Sequence, residues 1–309
     1  MTAAFRTDAD VSPPPLAHAR GCACGLHAAP VRRRLFTSLL VAGAAGPVLG
    51  QDGVRGDVGK TSRFARLVPA EQVEQAAAAQ YQQMQREAAQ QRALAPADHP
   101  QLVRLRSIAQ RLIPHTLPWN ARARQWQWEV NLLGSPEINA FCMPGGKIAF
   151  YYGILQKLQL TDAEVATIMG HEMAHALREH ARERMGKTAA TRIGAGLLSS
   201  LLGLGGAGDA LLSMGGQLLT LRFSREDESE ADIVGMELAA RAGYDPAAGI
   251  TLWQKMLSAG GGTPPKLLST HPPGENRIRD IQGKLPKVVG LYARAAKPPR
   301  NFGPPPQKG

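Results

Sequence analysis

Gly170-His171-Glu172-Met173-Ala174-His175 places two histidines four residues apart, with a glutamate directly after the first. With 8 histidines and 14 glutamates in the whole chain, an H-E-x-x-H string is expected by chance roughly 0.01 times, so accident is a poor account of it. Upstream, Thr161 with Glu164 three residues on forms a capping box that starts a helix, and the pattern runs to about Met185. Residues four apart on a helix lie ~6 Å apart along its axis, so both imidazoles point one way and can share one Zn²⁺, while Glu172 leans towards the open side of the ion. Gly170 lets another segment of the chain approach closely. His180 lies nine residues beyond His171, on the opposite side of such a helix at ~100° per residue. It is expected to be solvated or to touch a second helix.

A catalytic zinc takes a third protein ligand, and the place to look is Ser224-Arg225-Glu226-Asp227-Glu228-Ser229-Glu230-Ala231-Asp232. Glu228 shares a helical stripe with Ala231, Gly235 and Ala239, on the apolar side, where an unpaired carboxylate is costly unless it meets a cation. Asp232, one turn later, is placed to accept the free ring N–H of a ligating histidine and so fix its tautomer. Glu226 and Glu230 read as solvated.

Around these two helices the chain reads as α+β, mainly helical with a small three-stranded sheet. Helices are predicted over Pro69 to Leu94 and Asp98 to Ile113, from propensity and apolar spacing respectively. Extended stretches follow at Trp126 to Leu133, Ile138 to Met143 and Lys147 to Tyr152, the last two joined by Pro144-Gly145-Gly146, which makes a hairpin plus one strand. Ile193 to Leu221 is a Gly/Leu/Ser stretch whose only charge is Asp209. It is a candidate lid, a peripheral membrane contact, or a pair of ordinary core helices. Further helices are predicted from Ser224 to before Gly243, from Asp245-Pro246 to Gly260, and over Glu275 to Lys284. The tail from Lys297 is Pro-rich and expected to be disordered. The expected organisation is a leader over residues 1–50, a helical segment over 51–97, a catalytic domain over 98–290 and the tail over 291–309.

The 309 residues, 44% hydrophobic and 20% charged, exclude wholesale disorder and suffice for one large domain or two small ones. Three cysteines make no disulfide framework. A net charge of +11 suits anionic partners, but no nucleic-acid motif accompanies it, and nucleic acid is not an expected partner. Arg32-Arg33-Arg34, the apolar run Leu35 to Ala45 and the small-residue site ending at Gly50 read as an export signal cleaved before Gln51, by the general secretory or the twin-arginine route. No cysteine follows the apolar run, so a lipid anchor is not expected.

Taken together, Asn139-Ala140-Phe141-Cys142-Met143-Pro144-Gly145-Gly146, the H-E-x-x-H segment, Glu228-Ser229-Glu230-Ala231-Asp232 and His271-Pro272 resemble metallopeptidase family 48, the gluzincins related to the CAAX prenyl proteases and HtpX. The likeness covers about Leu102 to Gly283. Within that family, the chain looks like the soluble, exported bacterial branch that includes BepA and LoiP. The resemblance implies a zincin-type fold, with His171, His175 and Glu228 as ligands of one Zn²⁺. It also implies that His271, otherwise simply a histidine in a rigid loop, lies near the metal. There it either stabilises the transition state or fills the fourth zinc position and holds the enzyme inactive. Arg277 is expected to orient that loop or to bind a substrate carbonyl.

The expected chemistry is peptide hydrolysis, with zinc acidifying water and Glu172 taking its proton and passing it to the leaving amine. Substrate is expected to add as a strand at Asn139, Ala140, Phe141, Cys142 and Met143, since main-chain pairing holds an extended chain with little sequence preference. Cys142 itself reads as a small half-buried apolar residue, because no base lies beside it in sequence. The expected function is a periplasmic zinc metalloendopeptidase, acting on unfolded or misassembled envelope polypeptides in protein quality control. The alternative is a chaperone-like or assembly factor whose zinc site is latent, locked by His271.

Overall fold

The structure, a computed structural model, describes residues 53–193, 207–259, 265–271 and 276–307. The expected export signal lies outside the described residues. The described residues belong to one compact unit. In order, the elements are α1 (Ala70–Gln90), α2 (Pro100–Leu112), β1 (Glu129–Leu133), β2 (Ala140–Met143), β3 (Lys147–Tyr151), α3 (Tyr152–Leu158), α4 (Asp162–Leu177), α5 (His180–Ile193), α6 (Ala207–Leu218), α7 (Arg225–Arg241), α8 (Ala248–Ser258), α9 (Lys266–Thr270) and α10 (Arg277–Arg294). The fold is mainly helical with one small sheet, as its sequence implies.

β3 is the central strand, parallel to β1 and antiparallel to β2. The hairpin turns at Gly145 and Gly146, whose φ of +82° and +78° only glycine adopts without penalty. Alternation gives the sheet two apolar faces. Val130, Leu132, Cys142, Ile148 and Phe150 enter the main core with Ile168, Met169 and Met173 of α4. Leu133, Met143 and Ala149 meet Ala77 and Tyr81 of α1, whose hydroxyl donates to the Ile148 carbonyl. The sheet is therefore sandwiched between α1 and α4.

α4 starts at the capping box of Thr161 and Glu164. Beneath it Arg104 is wholly buried, paired with Asp162 at 2.6 Å and donating to Gln101 Oε1 at 2.9 Å and to the Leu160 carbonyl at 2.6 Å. A buried pair of this kind is tolerated because its polar atoms are met. Asp162 also accepts from the backbone N–H groups of Phe302 (2.8 Å) and Gly303 (3.2 Å). The Pro-rich tail is thus laid against the start of α4, not free as its composition suggests. Similarly, α10 continues through Pro286 to Arg294, beyond the expected end at Lys284, because Val288 and Leu291 beyond the proline are buried.

Where the sequence suggests one helix to Met185, there are two. Glu179 takes φ +60°, α4 stops at Leu177 and α5 restarts at His180. α6, the described end of the Gly/Leu stretch, packs on α1, where a Cβ on Gly215 would stand 2.6 Å from the Ala76 carbonyl oxygen. Residues 194–206 of that stretch lie outside the described residues. No helix among the described residues is long and apolar enough to cross a membrane.

α4 and α7 cross with their backbones in contact. A Cβ on Gly235 would lie 2.5 Å from the His171 backbone nitrogen, and one on Gly170 would lie 2.7 Å from the Gly235 carbonyl oxygen. This crossing brings the two motif helices together.

Candidate metal centre

His171 and His175 reach the centre from α4, Glu228 from the first turns of α7 and His271 from the end of α9; they are 8%, 3%, 3% and 4% exposed. Ser224 and Asp227 form a capping box that fixes the start of α7, so Glu228 leaves the helix at a defined angle. One donor atom from each of the four residues lies within 4.8 Å of all the others.

His171 Nε2 is 3.1 Å from His175 Nε2 and 3.3 Å from His271 Nδ1. Glu228 reaches His271 Nδ1 at 2.9 Å, His175 Nε2 at 3.4 Å and His171 Nε2 at 3.5 Å. Ligands held ~2.0–2.1 Å from a tetrahedral zinc stand about 3.3 Å apart, which is the spacing here. Three imidazole nitrogens facing one another beside a carboxylate form a donor set that fits a shared divalent cation. Glu172 adds to the fit, since its Oε1 is buried without a hydrogen-bond partner, 3.7 Å from His271 Nε2.

Burial drives the His175 pKa well below its usual value, keeping the ring neutral as a metal ligand requires. Burial raises that of Glu172. Burial would raise Glu228 as well, but its contacts with the His175, His271 and His171 rings outweigh it and hold the carboxylate far below its usual range. Asp232 accepts from His171 Nδ1 at 3.0 Å. Arg277 donates to Asp232 at 2.7 Å and to Glu228 at 2.9 Å, with its guanidinium 3.5 Å over the Trp253 ring. It is thus occupied by two carboxylates of the centre rather than held out towards a substrate carbonyl.

Three contributors escape sequence reading. Phe223 stacks on the His175 ring at 3.9 Å and 28°. His180, expected to be solvated or to touch a second helix, does touch one, at Glu230 of α7, but it is buried and also packs on His175, which was not expected; Glu230, expected in solvent, is half-buried against His180 and Arg178. The helix break at Glu179 brings His180 back onto His175, and the buried cation and imidazole it brings together draw Glu230 out of solvent. Phe223 leaves no signal in the sequence.

β2 is an edge strand of the sheet and packs on α4. Phe141 is half-buried, edge-on to Tyr81 and Tyr151 at 6.4 Å each, and Asn139 caps its own strand by accepting from the Ala140 N–H. Ala140, Cys142 and Met143 are buried. Just before β2 the Ile138 carbonyl accepts from Leu267 N–H of α9 at 3.2 Å. Burial pushes the Cys142 thiol well above its usual pKa, so it stays protonated in mildly alkaline solution. Iodoacetamide at pH 8.5 is expected to leave Cys142 unmodified in the folded protein and to label it in guanidinium, as read by peptide mass mapping. Rapid labelling of the native protein would mark it as accessible and activated.

Residues 101–285 match Peptidase family M48. The chain is 40% identical over 152 residues to mitochondrial metalloendopeptidase OMA1 of Arabidopsis thaliana, covering 49% of this chain and 30% of that protein. It is 38% identical over 165 residues to the OMA1 metalloendopeptidase of Schizosaccharomyces pombe, covering 52% and 48%. To the beta-barrel assembly-enhancing protease of Escherichia coli it is 28% identical over 204 residues, covering 62% and 40%. The alignments therefore span less than half of each of these relatives. Crossed helices bearing a buried three-histidine, one-glutamate cluster agree with the match, and the chain belongs to peptidase family M48, a family of zinc metalloproteases.

Proposed function

We propose that the chain is a zinc-dependent endopeptidase that hydrolyses unfolded or misassembled cell-envelope polypeptides in the periplasm. The observation that carries the reading is the buried cluster of His171, His175, Glu228 and His271 with the unpartnered Glu172 carboxylate beside it. When bound, zinc polarises a peptide carbonyl and acidifies water. Glu172 is the general base that takes the proton and returns it to the leaving amine. Asp232 holds His171 in the tautomer that leaves Nε2 free, and Arg277 holds Asp232 and Glu228 in place. An extended substrate pairs along β2, from Asn139 to Met143. Similarity to a beta-barrel assembly-enhancing protease supports envelope substrates, and the leader in the sequence supports export.

Zinc analysis of the purified chain, with digestion of casein before and after chelation, tests this. One equivalent of zinc and cleavage lost to chelator and restored by Zn²⁺ are the expected results. Zinc bound but no cleavage, in the wild type and in His271→Ala alike, would sink the enzymatic reading.

One observation favours a latent form. His271 Nδ1 lies among the donor atoms that would hold zinc, and were all four to bind, no position would be left for water, as in structural rather than catalytic zinc sites. The same segment takes the Ile138 carbonyl at the head of the substrate edge. His271→Ala is therefore expected to raise casein turnover several-fold with zinc retained. A fall in turnover instead would give His271 the transition-state role.

A further inference from the structure

We propose that His180 and Glu230 are positioning residues for the metal-ligating ring of His175, the counterpart of what Asp232 does for His171. The proposal rests on the metal-centre reading and extends it to a second pair of residues.

His175 turns Nε2 into the cluster. Its other nitrogen, Nδ1, lies 3.0 Å from His180 Nδ1. His180 Nε2 lies 2.8 Å from Glu230 Oε2, and Glu230 Oε1 lies 2.9 Å from Arg178 Nη2. His180 is 1% exposed, so water cannot stand in for these partners.

Counting protons gives the chain a direction. A ligating Nε2 needs its lone pair, so the proton of His175 sits on Nδ1 and is donated to His180. His180 Nδ1 accepts it, which puts the proton of that ring on Nε2, where it is donated to the Glu230 carboxylate. Arg178 supplies the charge that keeps the carboxylate ionised. Every nitrogen then has one role. The reverse direction would put a proton on His175 Nε2, facing the other donors of the cluster.

Two contacts thus fix the ring in different ways. Phe223 stacked on its face sets the ring plane, and the bond to His180 sets rotation within that plane. The helix break is what makes the second contact available. In an unbroken helix a residue five beyond His175 points about 140° away. With Glu179 at φ +60°, a conformation unfavourable to a non-glycine residue, His180 folds back until the two ring centres are 5.0 Å apart.

The test compares the wild-type chain with His180→Leu, His180→Asn and Glu230→Gln, each purified without metal and checked for folding by circular dichroism. Zinc affinity is measured by competition with a chromophoric chelator, and ligand geometry by the visible absorption of the Co²⁺ form. His180→Leu is expected to weaken zinc binding by about 10–100-fold and to shift the Co²⁺ bands. In His180→Asn the side-chain oxygen stands near the former Nδ1 and accepts the same N–H, so most of the affinity and the spectrum return. Glu230→Gln, a neutral acceptor, falls between the two.

A residue that merely ties α5 to α7 predicts otherwise, since Asn is too short to reach Glu230 and would fail like Leu. Equal zinc affinity and spectra in wild type and His180→Leu would overturn the proposal, as would identical losses in Leu and Asn. If the Leu variant does not fold, Asn and Gln decide: Asn losing as much as 100-fold overturns it. A wild-type chain that takes up neither Zn²⁺ nor Co²⁺ overturns the metal-centre reading itself.

Discussion

Glu172→Gln is expected to abolish cleavage of an unfolded substrate and leave the zinc in place. Glu172 is 3% exposed and makes none of the four donor contacts of the cluster, so a side chain of the same shape leaves His171, His175, Glu228 and His271 where they are. What it removes is the only acid–base group on α4 that faces the centre without serving as a ligand. Loss of a general base costs typically ~10²–10⁴ in rate, about 3–5 kcal/mol of barrier. Stability should move little or rise, because the substitution replaces a buried carboxylate with an unpartnered oxygen by a neutral amide. Casein digestion, zinc content and a melting curve on one preparation separate the outcomes. Unchanged proteolysis would sink the base assignment, whereas loss of zinc would make Glu172 part of the metal's support. Retained biological activity without proteolysis would favour the chaperone-like reading.

His171, His175 and Glu228 are legible because their motifs are local, whereas only the family resemblance points to His271. H-E-x-x-H and the Glu228 to Asp232 segment each lie within two helical turns, and helical geometry alone says which side chains share a face. The hairpin was legible through Pro144-Gly145-Gly146, and α4 and α7 through their capping residues. What was not legible depends on contacts across the fold. The stretch Ala176-Leu177-Arg178-Glu179-His180 contains no Gly or Pro, so nothing announces that Glu179 turns left-handed, and a helical wheel carried past it sends His180 the wrong way. α3 has seven residues, too few for a period to emerge. The tail from Lys297 has the composition of a solvated segment, and only the carboxylate of Asp162, 140 residues earlier, reveals that its backbone N–H groups are bonded. Glu230 reads as solvated for the same reason, since Arg178 and His180 come to it from another helix.

The second large effect is expected where two helix backbones touch. Gly235→Ala adds one methyl where α7 crosses α4, 2.5 Å from the His171 backbone nitrogen, 2.8 Å from the Gly170 carbonyl carbon and 2.9 Å from the His171 Cα. These are backbone atoms and cannot rotate aside, so ordinary contact is restored only if the helices part by roughly 1 Å. Two terms oppose each other. Alanine gains about 1 kcal/mol over glycine in a helix, while overpacking a tight core costs about 1–3 kcal/mol and more where backbone must move. The second wins, and a net loss of about 2 kcal/mol lowers the melting temperature by about 4–8 °C in a protein of this size. The functional loss should be larger than the stability loss. Metal ligands tolerate errors of about 0.2 Å, and the same ~1 Å displacement carries Glu228 and Asp232 away from His171 together. Activity is therefore expected to fall about 10²-fold, with weaker zinc binding. Gly283→Ala in α10, where an added methyl meets nothing within 4 Å, is the control, expected to be neutral or stabilising by up to about 1 kcal/mol. Wild-type melting and proteolysis in Gly235→Ala would mean that the crossing has slack, and that something other than this backbone contact sets the distance between the histidine pair and its distant carboxylate.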